Sequence, residues 1–206
     1  GGGTETPAIS PHDPEVMLLN CDMSGAYRTT DGGRSWTLFH WRQLMGCPFC
    51  APVFHPSDAK LVFAAHSYAA TLRRSMDGGA TWEPYGEGLP GDLRVLAIDR
   101  HQPAVMLAAH LRGLHFSTDG GETWQAASGF SGTPRALLCQ RRLRDGQPLY
   151  LAASDSGVFR AVGTPAVWEL CSGLPAGRSI LAFAGGYDAP RQLSWLYAWI
   201  SVPVAQ

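Results

Sequence analysis

Little in this sequence suits it to a membrane, a nucleic acid or a disulfide framework. No apolar stretch approaches the ~20 residues a spanning helix needs, so no membrane span is expected. Charge of one sign is also scarce. Sixteen basic against seventeen acidic residues leave a formal charge of −1, which removes the basic footprint of a nucleic-acid or anionic-membrane partner. The short cluster Arg141-Arg142-Leu143-Arg144 reads as a solvated turn between strands rather than a docking site. The chain opens on Gly1-Gly2-Gly3 with neither a basic n-region nor an apolar h-region, so a signal peptide either has been removed or never existed. There is no strongly periodic helix. There is also no phosphate-binding loop, dinucleotide fingerprint or serine nucleophile elbow, and no cofactor is expected.

Cysteine is sparse and odd in number: Cys21, Cys47, Cys50, Cys139 and Cys171 cannot form a disulfide scaffold. At least one is free or paired elsewhere. Cys47-Pro48-Phe49-Cys50, flanked by His40 and His55, leaves three readings open: a zinc site, a local disulfide, or unpaired thiols. The spacing follows no common zinc-finger pattern, and no metal is assigned. A thioredoxin-like redox role would need a βαβ context that is missing.

What is present is a turn-rich composition, 45% hydrophobic with 24 Gly and 15 Pro, as in an all-β protein. One signature occurs three times: Thr29-Thr30-Asp31-Gly32-Gly33-Arg34-Ser35-Trp36, Ser75-Met76-Asp77-Gly78-Gly79-Ala80-Thr81-Trp82 and Ser117-Thr118-Asp119-Gly120-Gly121-Glu122-Thr123-Trp124. Its aspartates, and likewise its tryptophans, lie 46 and then 42 residues apart, a period typical of four-stranded propeller blades. The Gly pair supplies positive φ for a tight turn. The carboxylate can accept backbone N–H groups further along, and the preceding hydroxyl can join that network. The Trp starts the next strand and offers an apolar face to a neighbouring blade.

The reading is a β-propeller of four-stranded antiparallel blades, about four and a half in this chain, over a single domain or the N-terminal part of one. The blades are placed at 5–45, 51–90, 93–132 and 134–175, with a partial fifth at 178–206. In the fourth, the signature has decayed to Ala161-Val162-Gly163-Thr164-Pro165, yet Trp168 keeps the period. The fifth opens with Ser179 to Phe183 and Leu196 to Val202, leaving two strands unaccounted for. Unpaired edges are costly in propellers. The expectation is the front portion of a longer propeller, or closure with a partner or second copy, with a five-bladed ring as the alternative.

The signature is the Asp box, S/T-x-D-x-G-x-T/S-W. It resembles the blades of sialidases, sortilin-type receptors, photosystem II assembly factors and xyloglucan-hydrolysing endoglucanases. In those families the box lies away from the ligand face. The resemblance therefore implies structural roles for Asp31, Gly33, Trp36, Asp77, Gly79, Trp82, Asp119, Gly121 and Trp124. It also favours an extracellular or periplasmic location, and it leaves function open between hydrolase, receptor and assembly factor. The segment Cys21-Asp22-Met23-Ser24-Gly25-Ala26-Tyr27-Arg28, with the Gly-rich start, is similar to the opening blade of the xyloglucan-active endoglucanases, whose T-D-x-G-G-A-Y-R segment carries the catalytic base. Asp22 matches that base, while Cys21 and Ser24 depart from the pattern.

Inverting hydrolysis needs two carboxyls ~6.5–9.5 Å apart. In the resembling enzymes the acid comes from a second propeller. Asp155 and Asp188 sit near strand ends here but match no acid motif.

Counting seven residues back from each box places Tyr68 and His110 at the position of Asp22. Matching Arg160 to Arg28 adds Ser154, beside Asp155. With His66 these form either a carbohydrate-binding rim or polar caps on wet strand ends. Trp41 and Phe49 are candidates for sugar stacking or for interblade packing. His12, His55 and His101 recur in the first turns and read as turn chemistry. Arg28, Arg74 and Arg160 recur at one blade position, so they would spread around the ring rather than converge as a sialidase needs. The expected partner is a polysaccharide or other glycan, with a protein as the alternative and no nucleic acid.

Overall fold

The computed structural model describes residues 3–66, 71–172, 180–188 and 193–200. Among these residues every regular element is a strand. The first blade is β1 (Thr4–Ile9), β2 (Met17–Cys21), β3 (Gly25–Thr29) and β4 (Thr37–Leu38). The second is β5 (Val53–Phe54), β6 (Val62–His66), β7 (Thr71–Ser75) and β8 (Glu83–Pro84). The third is β9 (Leu93–Ile98), β10 (Met106–His110), β11 (Gly113–Ser117) and β12 (Gln125–Ala126). The fourth is β13 (Pro134–Arg141), β14 (Pro148–Ser154), β15 (Gly157–Val162) and β16 (Glu169–Leu170), followed by the pair β17 (Ile180–Asp188) and β18 (Leu193–Ile200).

Each group of four is an antiparallel meander in sequence order, and β17 pairs with β18. First strands touch from blade to blade: β1 with β5, β5 with β9, β9 with β13, β13 with β17. They therefore form the shared inner wall. The two strands expected in the fifth repeat are present with other bounds: β17 runs five residues past Phe183 and β18 starts three residues before Leu196. Ser179 and Val202, expected within the fifth repeat, lie outside the described residues.

The boxes close the turns between third and fourth strands, and they do so internally. Ser117 Oγ donates to Asp119 Oδ1 at 2.6 Å and accepts the Gly121 N–H at 2.8 Å. Asp119 Oδ1 accepts the Thr123 N–H at 3.0 Å, and Oδ2 accepts its hydroxyl at 2.5 Å. Asp31 and Asp77 repeat this arrangement. Both glycines of every box have positive φ, between 69° and 90°, which a side chain would strain. The first of them donates its N–H to a carbonyl just before the second strand, at Glu15, Lys60 and Ala104. Hydroxyl groups of Ser117 and Thr123, then the Thr123 N–H, hold the Asp119 carboxyl at about 2.

Three indoles pack on the preceding blade. Trp82 joins Leu18, Ala26 and Leu44; Trp124 joins Phe63, Leu72 and Cys47; Trp168 joins Leu107, Leu114 and Phe116. Main-chain bonds fix the same junctions. The Trp124 N–H donates to Glu87 O and the Trp168 N–H to Ser128 O, while Trp82 uses the side-chain Oε1 of Gln43 at 2.8 Å. The three tryptophans of the intact boxes do not share one environment. Trp82 and Trp124 are 6% and 7% exposed but Trp36 is 39% exposed, because no described blade precedes its own. Decay of the fourth box removed the carboxylate but kept the turn: Gly163 donates to Pro148 O, and Trp168 Nε1 to Pro165 O, as Trp124 Nε1 does to Gly121 O.

Asp119→Ala is expected to cost about 1–2 kcal/mol in chemical denaturation, since the turn N–H and hydroxyl groups lose their acceptor. With its pKa lowered to about 2, the Asp119 contribution is present above the unfolded carboxylate range and lost as the pH falls from about 4 to about 2, so the denaturation midpoint drops in that window. Trp124→Ala is expected to cost about 3–5 kcal/mol, against about 1 kcal/mol or less for the half-covered Trp36→Ala.

Candidate functional site

Two sets of loops share the rim opposite the boxes: the turns between second and third strands, and the connectors between blades. The first connector contributes Met45 and Cys47-Pro48-Phe49-Cys50, while its earlier part packs toward the second box, where Gln43 Oε1 accepts the Trp82 N–H and His40 and Gln43 lie beside Ala80 and Thr81. Asn20, buried at the end of β2, pins it by donating from Nδ2 to the carbonyls of Cys47 at 2.8 Å and Cys50 at 3.2 Å. Gly46 passes so close to the Gly25 carbonyl that a Cβ there would lie 2.4 Å from the oxygen.

The residues weighed as a zinc site are not gathered. Cys47 and Cys50 are buried between blades, and burial pushes both thiols up. His55 lies on the opposite rim, where its Nδ1 accepts the N–H groups of Ser57 and Asp58. No cluster of three or more His, Cys, Asp or Glu is placed to hold a metal among the described residues, and all five cysteines are free thiols.

Asp22 begins the turn between β2 and β3, half-buried, with its N–H donated to Gly3 O at 3.4 Å and the Cys21 thiol 3.8 Å from Oδ1. Ladder register corrects the equivalence obtained by counting back from the boxes. Cys21, His66, His110 and Ser154 occupy the last ladder position of the second strand, paired with Gly25, Thr71, Gly113 and Gly157. Asp22 lies one residue beyond that position, and its counterpart in the fourth blade is Asp155. Turns of unequal length shift the count. The main chain confirms the match, because the Asp155 N–H donates to Thr133 O just as Asp22 does to Gly3 O.

Asp155 Oδ1 also accepts the Thr133 N–H at 2.8 Å. Burial works against its charge but is outweighed by the bonds from Thr133 and the nearby Arg135, and its carboxyl titrates below the ordinary range. Ser154 is fully buried and accepts the Ser156 N–H, so it lies beneath the rim. Tyr68 lies outside the described residues.

His66 is half-buried and its Nδ1 accepts the Met45 N–H at 3.0 Å, leaving the proton of the neutral ring on Nε2. Burial first, and Arg73 second, lower its pKa. His110 is 1% exposed and lies beneath the rim. Its Nδ1 accepts the Arg112 N–H, so Nε2 carries the proton and donates to His115 Nδ1 at 2.7 Å. Its partner His115 escapes a reading by motif, because the contact exists only across a two-residue hairpin that sets the rings diagonally on one face.

Trp41 is 59% exposed, with the Arg42 guanidinium 5.1 Å above its ring, and Phe49 is covered by Arg94 at 3.9 Å. The recurring arginines do stay on separate blades: Arg28 donates to Gly78 O, Arg74 pairs with Glu83, and Arg160 with Glu169. Chemically, the rim offers the Asp22 carboxylate and the His66 imidazole N–H, groups able to bond hydroxyls, while the exposed Trp41 indole lies earlier in the connector.

Burial, then the His115 and Arg112 charges, depress the His110 pKa to about 4. The native ring stays neutral where the unfolded one binds a proton, so stability is lost as pH falls from about 6.5 to about 4. Imidazole NMR shifts of His110 are expected to remain those of the neutral ring down to about pH 5, and the slope of stability against pH in this window is expected to flatten in His110→Asn.

The BNR/Asp-box repeat family matches residues 115–126. No curated protein matches the chain by sequence. Among solved structures, the chain is similar to an ancestral GH74 enzyme, with TM-score 0.71 and 18% identity over 87% of this chain and 25% of that one. It is similar to the GH74 enzyme of Niastella koreensis, with TM-score 0.63 and 18% identity over 81% of this chain and 29% of that one. It is also similar to YCF48 bound to D1 peptide, with TM-score 0.61 and 18% identity over 97% of this chain and 62% of that one. The chain thus spans about a quarter of the GH74 enzymes and less than two thirds of YCF48. The repeated box geometry, the match at 115–126 and these likenesses agree: the chain carries BNR/Asp-box repeats and has a β-propeller fold.

Proposed function

We propose that this chain is the glycan-recognising part of a xyloglucanase-like glycoside hydrolase acting on β-glucan polysaccharide, with Asp22 as general base. The observation that supports this most is the position of Asp22. The one carboxylate in a segment similar to the base-bearing segment of xyloglucan-active endoglucanases begins a rim turn, half-buried, with its N–H donated to Gly3 O. In the reaction its carboxylate takes a proton from the water that attacks the anomeric carbon, while a carboxylic acid protonates the departing oxygen from the other side of the sugar. That acid comes from outside this segment. Trp41 offers its indole face to the C–H surface of a pyranose ring, and the half-buried His66 can donate to a hydroxyl from Nε2.

A second reading is a non-catalytic propeller that binds protein or glycan. It draws support from the counterpart carboxylate of Asp155, which is engaged by the Thr133 N–H and is not poised as an acid.

The two readings separate on one substitution. In the full-length protein, Asp22→Asn is expected to cut xyloglucan turnover roughly 10²–10⁴-fold, the usual worth of a general base, with polysaccharide affinity and melting temperature nearly unchanged. Unaltered turnover would remove Asp22 from the mechanism, and absence of any hydrolysis by the native protein would favour the binding reading. Trp41→Ala is expected to weaken retention on xyloglucan in affinity gels under either glycan-binding reading.

A further inference from the structure

The opposite rim, where the Asp boxes lie, carries a basic cleft that the glycan reading does not use. It opens between the turn joining β9 to β10, the turn joining β13 to β14, and Gly185-Gly186 in β17, and encloses about 600 Å³. Arg100 and His101, both exposed, enter from the first turn, and Arg141 and Arg142 from the second.

Arg141 is the informative residue. Hydrogen-bonded turns of the four blades align Ser10, His55, Asp99 and Arg142 as the residue after the first strand. The position before it is Ile9, Phe54 and Ile98 in the first three blades and Arg141 in the fourth. An apolar side chain therefore satisfies the fold there, and the guanidinium is an addition. It is held by the fully buried Asp99, whose Oδ2 accepts from Arg141 at 2.8 Å and from the Tyr150 hydroxyl at 3.4 Å. Buried ion pairs are often no more stabilising than apolar residues of the same size. Asp99 Oδ1 also caps its own turn by accepting the His101 N–H at 2.9 Å, and the guanidinium that balances this carboxylate stands where sister blades use Phe or Ile. Arg142 is likewise fixed, by Asp145 and by Gln147 Oε1. Two carboxylates thus orient two guanidiniums toward the cleft, and the exposed Arg100 adds a third positive charge.

We infer that this cleft is a binding site for a sugar acid, the carboxylate of a uronate lying against Arg100, Arg141 and Arg142. Guanidinium groups match planar carboxylates in bidentate fashion. The enclosed volume falls within the ~300–1,000 Å³ of small-molecule sites, far more than a bare ion fills. Gly185 and Gly186 leave that wall without side chains, giving a flat surface for a pyranose ring, and Gln140 and His101 supply partners for ring hydroxyls. The site is independent of Asp22.

Calorimetric titration of the chain with digalacturonate, with neutral galactobiose and with sodium sulfate tests the assignment. Binding of digalacturonate is expected, at least about fivefold weaker in Arg100→Gln with unchanged melting temperature, weakened by added salt, and unaffected by Asp22→Asn. The double variant Asp99→Asn/Arg141→Met, which removes the ion pair but keeps an acceptor for the His101 N–H, is expected to bind no digalacturonate. Should it fail to fold, Arg100→Gln decides alone. Equal affinity for galactobiose, sulfate binding as tight as digalacturonate, no binding by the native chain, or an Arg100→Gln variant that binds as well would each overturn the proposal.

Discussion

An indole lying on the blade before its own is the contact on which this architecture depends. A four-stranded sheet of five-residue strands has two faces to cover and few residues to cover them with. Stacking Trp82, Trp124 and Trp168 across successive junctions turns several marginal sheets into one continuous apolar body. Main-chain bonds at Trp124 and Trp168 fix the distance between sheets, and Gln43 reproduces that bond with a side chain where the first connector takes a longer path. The more exposed Trp36 shows the same rule from the other side: with no described sheet before it, the indole is covered only in part.

The box carboxylate has a subordinate task. It collects hydroxyl and amide donors of a turn that would otherwise compete for water, and so holds the ring that follows at a fixed angle. The fourth blade separates the two tasks. There the carboxylate is gone, a glycine N–H and a proline carbonyl maintain the turn, and the indole still seats. The aspartates most visible in the sequence therefore belong to the frame.

Much of this was legible in the residues. The period of the boxes marked an all-β chain of four-stranded antiparallel blades, because a repeated turn with fixed glycine geometry imposes its spacing on whatever lies between. The site was less legible, for a definite reason. Counting back from the boxes assumes that the turns between second and third strands are equal in length, but three residues separate the ladder ends in the first blade and two in the third and fourth. The count thus paired Asp22 with His110 and Ser154, which the ladders place beneath the rim, whereas Asp155 is its true counterpart. His115 and the Asp99–Arg141 pair were invisible because each contact joins residues that no local pattern links.

Those unequal turns have a consequence beyond register. The ladders end at the same depth whatever the loop above them does, so insertions, deletions and exchanges at the rim leave the walls untouched. Selection can then rewrite what the molecule recognises in small steps, each tolerated by a frame that does not sense it. Such a division between an invariant body and a freely drifting mouth gives a physical reason why a GH74 enzyme and the peptide-bound YCF48 each resemble this scaffold with under a fifth of residues identical.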